Sequence, residues 1–347
     1  MTESHKTAED TLTNAQSISG FGYAKALIFG EYAVMYGAKA LVVAIDTRLS
    51  VHLSNIRIPA RTQNAHNAGQ YTPDITLKLR HLLNHPQGFK EILDDVTSVA
   101  IDADIRLDDS AFFDKDGEKL GIGSSAAITV ALLEAQLKAA QILHGIQVSQ
   151  SDAIKAAIQT HRMMQNNMGS GADVIASAIG GAQIVHNCPD NPQIQSIPSS
   201  HLPHFALLVT HQQAPTCSYI QAARNHDKTP EFRQIIQHIA NAGESAAKSL
   251  LAQNKAEFLS IMDAFPDMLG ALGKIISMPI VPPLFHDIAP IAKSSGVVLK
   301  TSGAGGGDIF IAFANDREKL NDFVHSIPGR FNISVLDTNI APARSYP

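Results

Sequence analysis

Residues 119 to 127 read Lys-Leu-Gly-Ile-Gly-Ser-Ser-Ala-Ala and open a run of helix formers that lasts to about His144. Gly121 and Gly123 let the backbone turn tightly and come close to a ligand. Ser124 and Ser125 add two hydroxyls, and Ala126 and Ala127 keep the helix start small. The first turn of a helix carries unpaired N–H groups and the positive end of the dipole, so this stretch is a seat for an anion, phosphate above all. Three other places supply groups that could face it. Lys25 lies inside the apolar run Ala24 to Phe29, where a lysine either snorkels to water or aims its charge at a phosphate. Asp173 follows the turn Gly169-Ser170-Gly171 in the first turn of a short helix, where it either complements the dipole, worth under ~1 kcal/mol, or works on a substrate. Ser302 to Asp308 holds four glycines among five residues, more than a hairpin turn requires, and reads as a nest of backbone amides. Phosphoryl transfer needs positioned phosphates, magnesium, a cation on the developing charge and a group that orients or deprotonates the nucleophile. Each role has a candidate in this set.

The elements that must hold these groups follow from periodicity and punctuation. Ala24–Phe29, Ala40–Ile45 and Leu49–Leu53 read as strands, and Val99–Leu107 as another after a polar loop, Asn55–Pro73, and a helix, Ile75–Leu93. An acidic loop, Asp108–Glu118, leads into the phosphate seat. The helix after it stops at Gly145, and Ser149 or Ser151 caps the next, which runs to about Gln165. Asn187–His204, with four prolines, is the expected domain junction. Beyond it come a strand, Phe205–Thr210, and helices over Glu231–Gly243, Ser245–Gln253, Ala256–Leu272 and Pro283–Ser294. Strands Val297–Leu299 and Ile309–Phe313, a helix Lys319–Ser326 and a strand Phe331–Leu336 complete an α+β second half.

A chain of 347 residues is comfortable for two domains. The net charge of −5, without a basic run, argues against nucleic acid as the partner. Cys188 and Cys217 are too few for a disulfide framework or a cysteine zinc site. The polar Met1–Ser17 reads as a frayed tail without the apolar core of a signal peptide, and no run approaches a membrane span. The expectation is a cytoplasmic protein, monomer or homodimer, acting on a small molecule. Gly121 to Ala126 also fits the loose dinucleotide pattern, but no apolar strand precedes it and no acid stands about 20 residues on. A Walker A loop is absent.

Lys25–Gly37, Lys119–Ala127 and Lys300–Asp308 resemble, in order and at family spacing, the three motifs of the GHMP small-molecule kinases, and the resemblance covers nearly the whole chain from about Gly20. Within that superfamily the mevalonate-pathway branch fits best. Gly30-Glu31-Tyr32-Ala33-Val34, His161-Arg162 with Gln165, Gly169 to Val174, and Lys300 to Asp308 are most similar to phosphomevalonate kinases. Ala24 and Ile122 depart mildly from the pattern, and Met35-Tyr36-Gly37 leans toward mevalonate kinases. The resemblance implies a two-domain α+β fold: an ATP-binding domain like ribosomal protein S5 domain 2 over residues 18–200, and a ferredoxin-like domain over 201–345. It implies ATP and Mg2+ as cofactors and phosphorylation of 5-phosphomevalonate to 5-diphosphomevalonate. Mevalonate kinase, another GHMP kinase, or a nucleotide sensor without turnover are the alternatives. Carried over position by position, Lys25 and Asp173 are catalytic, and Lys119, Gly121, Ile122, Gly123, Ser124, Ser125 and Ala126 bind ATP. Ser124 or Ser125 approaches the metal. Tyr32, His161, Ser170, Ser302, Gly303, Ala304 and Gly305 bind the acceptor.

Overall fold

The structure, a computed structural model, describes residues 17–57, 102–145, 147–165, 167–189, 191–212, 214, 216–336 and 339–347. The N-terminal tail, most of the polar loop expected after residue 54 and the helix expected over residues 75–93 lie outside them.

The first half is built on β1 (Ile18–Phe29) and the long β2 (Ala40–Arg57), which pair antiparallel. Two separate strands were expected where β2 runs unbroken. The register shift between Tyr23 and Ala24 accommodates Asp46 and Thr47 as a bulge, so the polar residues do not end the strand. β3 (Asp102–Asp108) and β4 (Ala182–His186) both pair with β2, and β5 (Gln193–Ile197) pairs with β4. The proline-rich stretch expected as a junction therefore contains a strand, and the crossing to the second sheet falls within residues 198–203.

Among the described residues three helices pack on this sheet in two tiers: α1 (Ser124–His144) and α3 (Ala172–Ile179) lie against its strands, and α2 (Gln150–Met164) packs on both of them. Ser149 caps α2 by accepting from the Asp152 amide. α1 lies directly on β1, because small residues meet small residues: a Cβ on Gly22 would stand 2.3 Å from the Ala127 carbonyl oxygen. That contact fixes where α1 begins.

The second half holds an antiparallel sheet in the order β7 (Val298–Thr301), β8 (Ile309–Ala314), β6 (His204–Val209), β9 (Ser334–Leu336). Its helices are α4 (Thr216–Asn225), which the sequence reading did not predict, then α5 (Pro230–Leu251), α6 (Lys255–Ile276), α7 (Pro283–Ser294) and α8 (Arg317–Ser326). β9 is shorter than the strand expected from Phe331. α5 passes through Gly243, where a break was expected. The glycine serves a close approach instead: a Cβ there would meet the Lys39 carbonyl oxygen at 3.0 Å and the Phe29 ring at 3.5 Å.

Every residue of β8 is buried, because helices cover both faces of its sheet. Ile309, Ile311 and Phe313 face α6, while Phe310, Ala312 and Ala314 join α7 and α8. The Phe29–Phe258–Phe313 stack carries the core from β1 through α6 to β8, so both sheets share one apolar interior. The last residues return to the first half. Arg344 binds the Phe21 carbonyl at 2.6 Å, Glu134 at 2.9 Å and the Ala178 carbonyl at 2.8 Å. Among the described residues no helix is long and apolar enough to cross a membrane.

Candidate active site

The start of α1 is bare, as an anion seat must be. Gly123 is its N-cap, with φ 91° and no side chain to cap the first amides, and no acid stands in the first turn. The turn is held to β1 by the Lys25 amide, which donates to the Ile122 carbonyl at 2.9 Å. The Lys25 side chain then crosses Gly123 so closely that a Cβ on that glycine would lie 2.6 Å from Cε. The strand lysine therefore lies along the glycine turn that opens α1. The register shift at Tyr23/Ala24 immediately precedes it, the sort of irregularity that re-aims a side chain.

Asp173 reaches the same helix start from α3. Its Oδ2 is 3.9 Å from His161 Nε2, and that imidazole is 3.1 Å from Ser125 Oγ. His161 is fully buried on the last turn of α2, with Gln165 also at Nε2 and Nδ1 without a partner among the described residues. Ser125 is thus engaged by His161. Ser124 is half-buried on the first residue of α1. Asp173 is 30% exposed and its Oδ1 accepts the Val174 amide at 3.0 Å. Its charge, after burial itself, helps push the Cys188 thiol up to about 12.

The glycine loop 302–308 joins β7 to β8 and packs against both earlier motifs. It is a hairpin connection, with less bare amide than a nest would offer. The Ser302, Gly306 and Asp308 amides donate to Ile309, Ile280 and Gln212 carbonyls. Three tethers fix it to the end of β1. Ser302 Oγ donates to the Leu27 carbonyl at 2.9 Å, and Tyr32 Oη to the Ala304 carbonyl at 2.6 Å. Lys300 Nζ pairs with Glu31 in full burial. Burial pushes the Glu31 carboxyl up and the Lys300 ammonium down, each offset in part by the other's charge. Asp308 packs on Gly121, and its carboxyl is raised by burial, against the Ala214 amide and the Lys25 charge.

The structure therefore gathers Lys25, Gly121, Ile122, Gly123, Ser125, His161 and Asp173 around one helix start, with Gly303, Ala304 and Gly305 in the loop that closes on it. Ala126 is buried within α1. Some expected site residues have other engagements. The Tyr32 and Ser302 hydroxyls are spent on the tethers above. Ser170 accepts the Ala172 amide, and Lys119 is exposed in a bridge with Phe113. The sequence reading missed the Glu31–Lys300 pair and the approach of Asp308. All three residues stood in its motifs, but nothing local pairs charges 269 positions apart. Among the described residues no group of three or more His, Cys, Asp or Glu is arranged to hold a metal.

Residues 87–181 match the family model described as GHMP kinases N terminal domain. The chain is 24% identical to the phosphomevalonate kinase of Saccharolobus solfataricus, over 86% of this chain and 90% of that one. It is 27% identical to the mevalonate kinase of Pyrococcus furiosus, over 85% and 89%. The structure of Streptococcus pneumoniae phosphomevalonate kinase in complex with phosphomevalonate and AMPPNP shares the fold, with a TM-score of 0.71 at 16% identity over 93% of this chain and 99% of that one. The bare, glycine-capped helix start thus lies inside the segment that matches the GHMP kinases N terminal domain, and the chain is similar to kinases of the mevalonate pathway over nearly their full length.

Proposed function

We propose that this protein transfers the γ-phosphoryl group of ATP to phosphomevalonate in the mevalonate pathway, giving diphosphomevalonate and ADP. The observation that carries the reading is the convergence of Lys25 and Asp173, from β1 and α3, on the uncapped start of α1. In the reaction an acceptor phosphate oxygen bonds to the γ-phosphorus as the bond to the β-bridging oxygen breaks. The α1 amides hold the nucleotide phosphates and the Lys25 ammonium meets the charge on the transferring group. An acceptor that is already a phosphate needs little deprotonation, so Asp173 orients it.

Magnesium suits the donor set. Hydroxyl and carboxylate oxygens are hard ligands, and the ion is commonly held by one or two protein oxygens, water and substrate phosphates, not by an all-protein cage. Because Ser125 is engaged by His161, Ser124 is the hydroxyl that would approach it, with Asp173 as the carboxylate. Bound there, the ion would neutralise phosphate charge.

His161 favours the phosphorylated acceptor. Where mevalonate kinases tend to carry a metal-binding glutamate, this chain has a buried imidazole, which adds no negative charge beside a second phosphate. The mevalonate kinase reading is kept by the relatives of both names at similar identity. Coupled ADP release with phosphomevalonate and mevalonate side by side decides between them. Turnover on phosphomevalonate is expected, and turnover on mevalonate alone refutes the assignment. Lys25→Met is expected to lower kcat at least about a hundredfold, the scale of losing one oriented electrostatic contact to the transition state.

A further inference from the structure

The second half of the chain puts a carboxylate into the phosphate turn of the first. Asp308 ends the glycine loop with φ 53°. Its amide donates to the Gln212 carbonyl at 2.6 Å, and its carbonyl accepts from the Thr210 amide at 2.9 Å and Thr210 Oγ1 at 3.3 Å. The Ala214 amide donates to its carboxylate. With the backbone held at both ends, the side chain projects onto Gly121. A Cβ there would lie 2.8 Å from the Asp308 Cβ and 3.4 Å from Oδ1. Two residues on, the Lys25 side chain crosses Gly123, so both charged side chains lie on the same three-residue turn.

This is a costly position for an anion. A turn that is to cradle a polyphosphate gains nothing in affinity from a carboxylate packed on its first glycine, and like charges at short range in a partly buried site repel strongly. The backbone bonds nevertheless commit Asp308 to that place. Lys25 is the cation that answers it. A lysine carries four rotatable bonds, and a counter-charge at one end of its range holds its ammonium over the turn before any phosphate arrives.

We propose that Asp308 is a positioning residue for Lys25, keeping the ammonium along Gly121–Gly123 and setting how tightly the ground-state nucleotide is held. Its negative charge opposes the bound phosphates and so restrains ground-state affinity. The aligned ammonium is then available to the transferring group, where binding energy raises the rate. The inference rests on the phosphoryl-transfer reading above.

The test separates it from simple structural damage. Asp308→Asn removes the charge, keeps an acceptor for the Ala214 amide and suits a left-handed backbone. Calorimetric titration with AMPPNP and magnesium, without acceptor, is expected to show about fivefold to tenfold tighter binding as the like charge is lost. The kcat is expected to fall about tenfold or more because Lys25 loses its register. Damage to the fold would weaken binding and slow turnover together. Asp308→Glu keeps the charge on a longer arm. It is expected to bind AMPPNP within about twofold of the parent and to turn over more slowly, since a charge retained leaves affinity but not geometry. Unchanged or weaker binding by Asp308→Asn, or an unchanged kcat, overturns the proposal while the parent still binds and turns over. A parent protein that binds no AMPPNP overturns the phosphoryl-transfer reading itself and this inference with it.

Discussion

Lys300 and Glu31 form an ion pair in which both side chains are fully buried, and its loss has a calculable signature. Lys300→Met keeps the length of the side chain and its place near the Phe265 ring, over which the ammonium now lies 5.2 Å from the centroid. It leaves the Glu31 carboxylate without its counter-ion. Breaking a buried pair from one side costs about 3–5 kcal/mol, whereas replacing both charges with neutral groups of similar volume is often near neutral. Lys300→Met and Glu31→Gln should therefore each destabilise by about 3–5 kcal/mol, and the double variant by less than either single one. The deficit of Lys300→Met must also depend on pH. Burial raises the Glu31 carboxyl, and removing Lys300 takes away the charge that lowered it. A group whose folded pKa is raised contributes stability that is full below its unfolded value, about 4.3, and is lost as pH rises through the folded value. Lys300→Met should be nearest the parent at acidic pH and fall progressively further behind toward pH 8. The chain has no tryptophan, so urea unfolding is best followed by far-UV circular dichroism, at pH 5 and pH 8 on all four proteins. A single-variant cost below about 1 kcal/mol, or single costs that simply add in the double variant, would refute the picture of a buried interacting pair. Because the pair ties the glycine loop to the end of β1, the double variant is further expected to recover stability more fully than kcat.

Two other perturbations test how the site is held. Gly123→Ala would place a methyl 2.6 Å from Lys25 Cε at a backbone φ of 91°. We expect a melting temperature within a few degrees of the parent, since one left-handed residue costs about 1–2 kcal/mol. The kcat should fall about a hundredfold, the penalty of shifting a catalytic group by an ångström. Unaltered turnover would mean that Lys25 does not work from this position. Arg344→Ala removes the contacts to Phe21, Ala178 and Glu134, and the guanidinium 3.7 Å over the Phe21 ring. It leaves Glu134 buried with Lys138 as its remaining cation among the described residues. A loss of about 2–4 kcal/mol in urea unfolding is expected, with KM for ATP unchanged, and a loss below about 0.5 kcal/mol would show that the returning tail is not structural.

The parts of this molecule that were legible in the sequence are those whose cause is local. The bare start of α1 follows from Gly123 and two serines, the α2 cap from one of two nearby serines, of which Ser149 serves, and the short helix bearing Asp173 from the Gly-Ser-Gly turn before it. Each is decided within a few residues, so composition and spacing suffice. What escaped has its cause elsewhere in the chain. Gly243 looks like a helix breaker until the Lys39 carbonyl is found against it, and then it is the residue that lets α5 pass. Tyr32 and Ser302 carry hydroxyls in motifs expected to bind the acceptor, yet both donate to backbone carbonyls that lie more than 270 residues away along the chain. A hydroxyl, an ammonium or a carboxylate announces only a capacity to bond. Whether that capacity is left for a ligand depends on whether the fold has already met it, because a buried polar group without a partner costs more than a typical hydrogen bond gains. The same rule separates the two serines at the start of α1: Ser125 is answered by His161, which is why the proposed metal-facing role is given to Ser124. It also makes Asp308 informative, since a carboxylate held in place by the second half is set against Gly121, two residues from the glycine that Lys25 crosses.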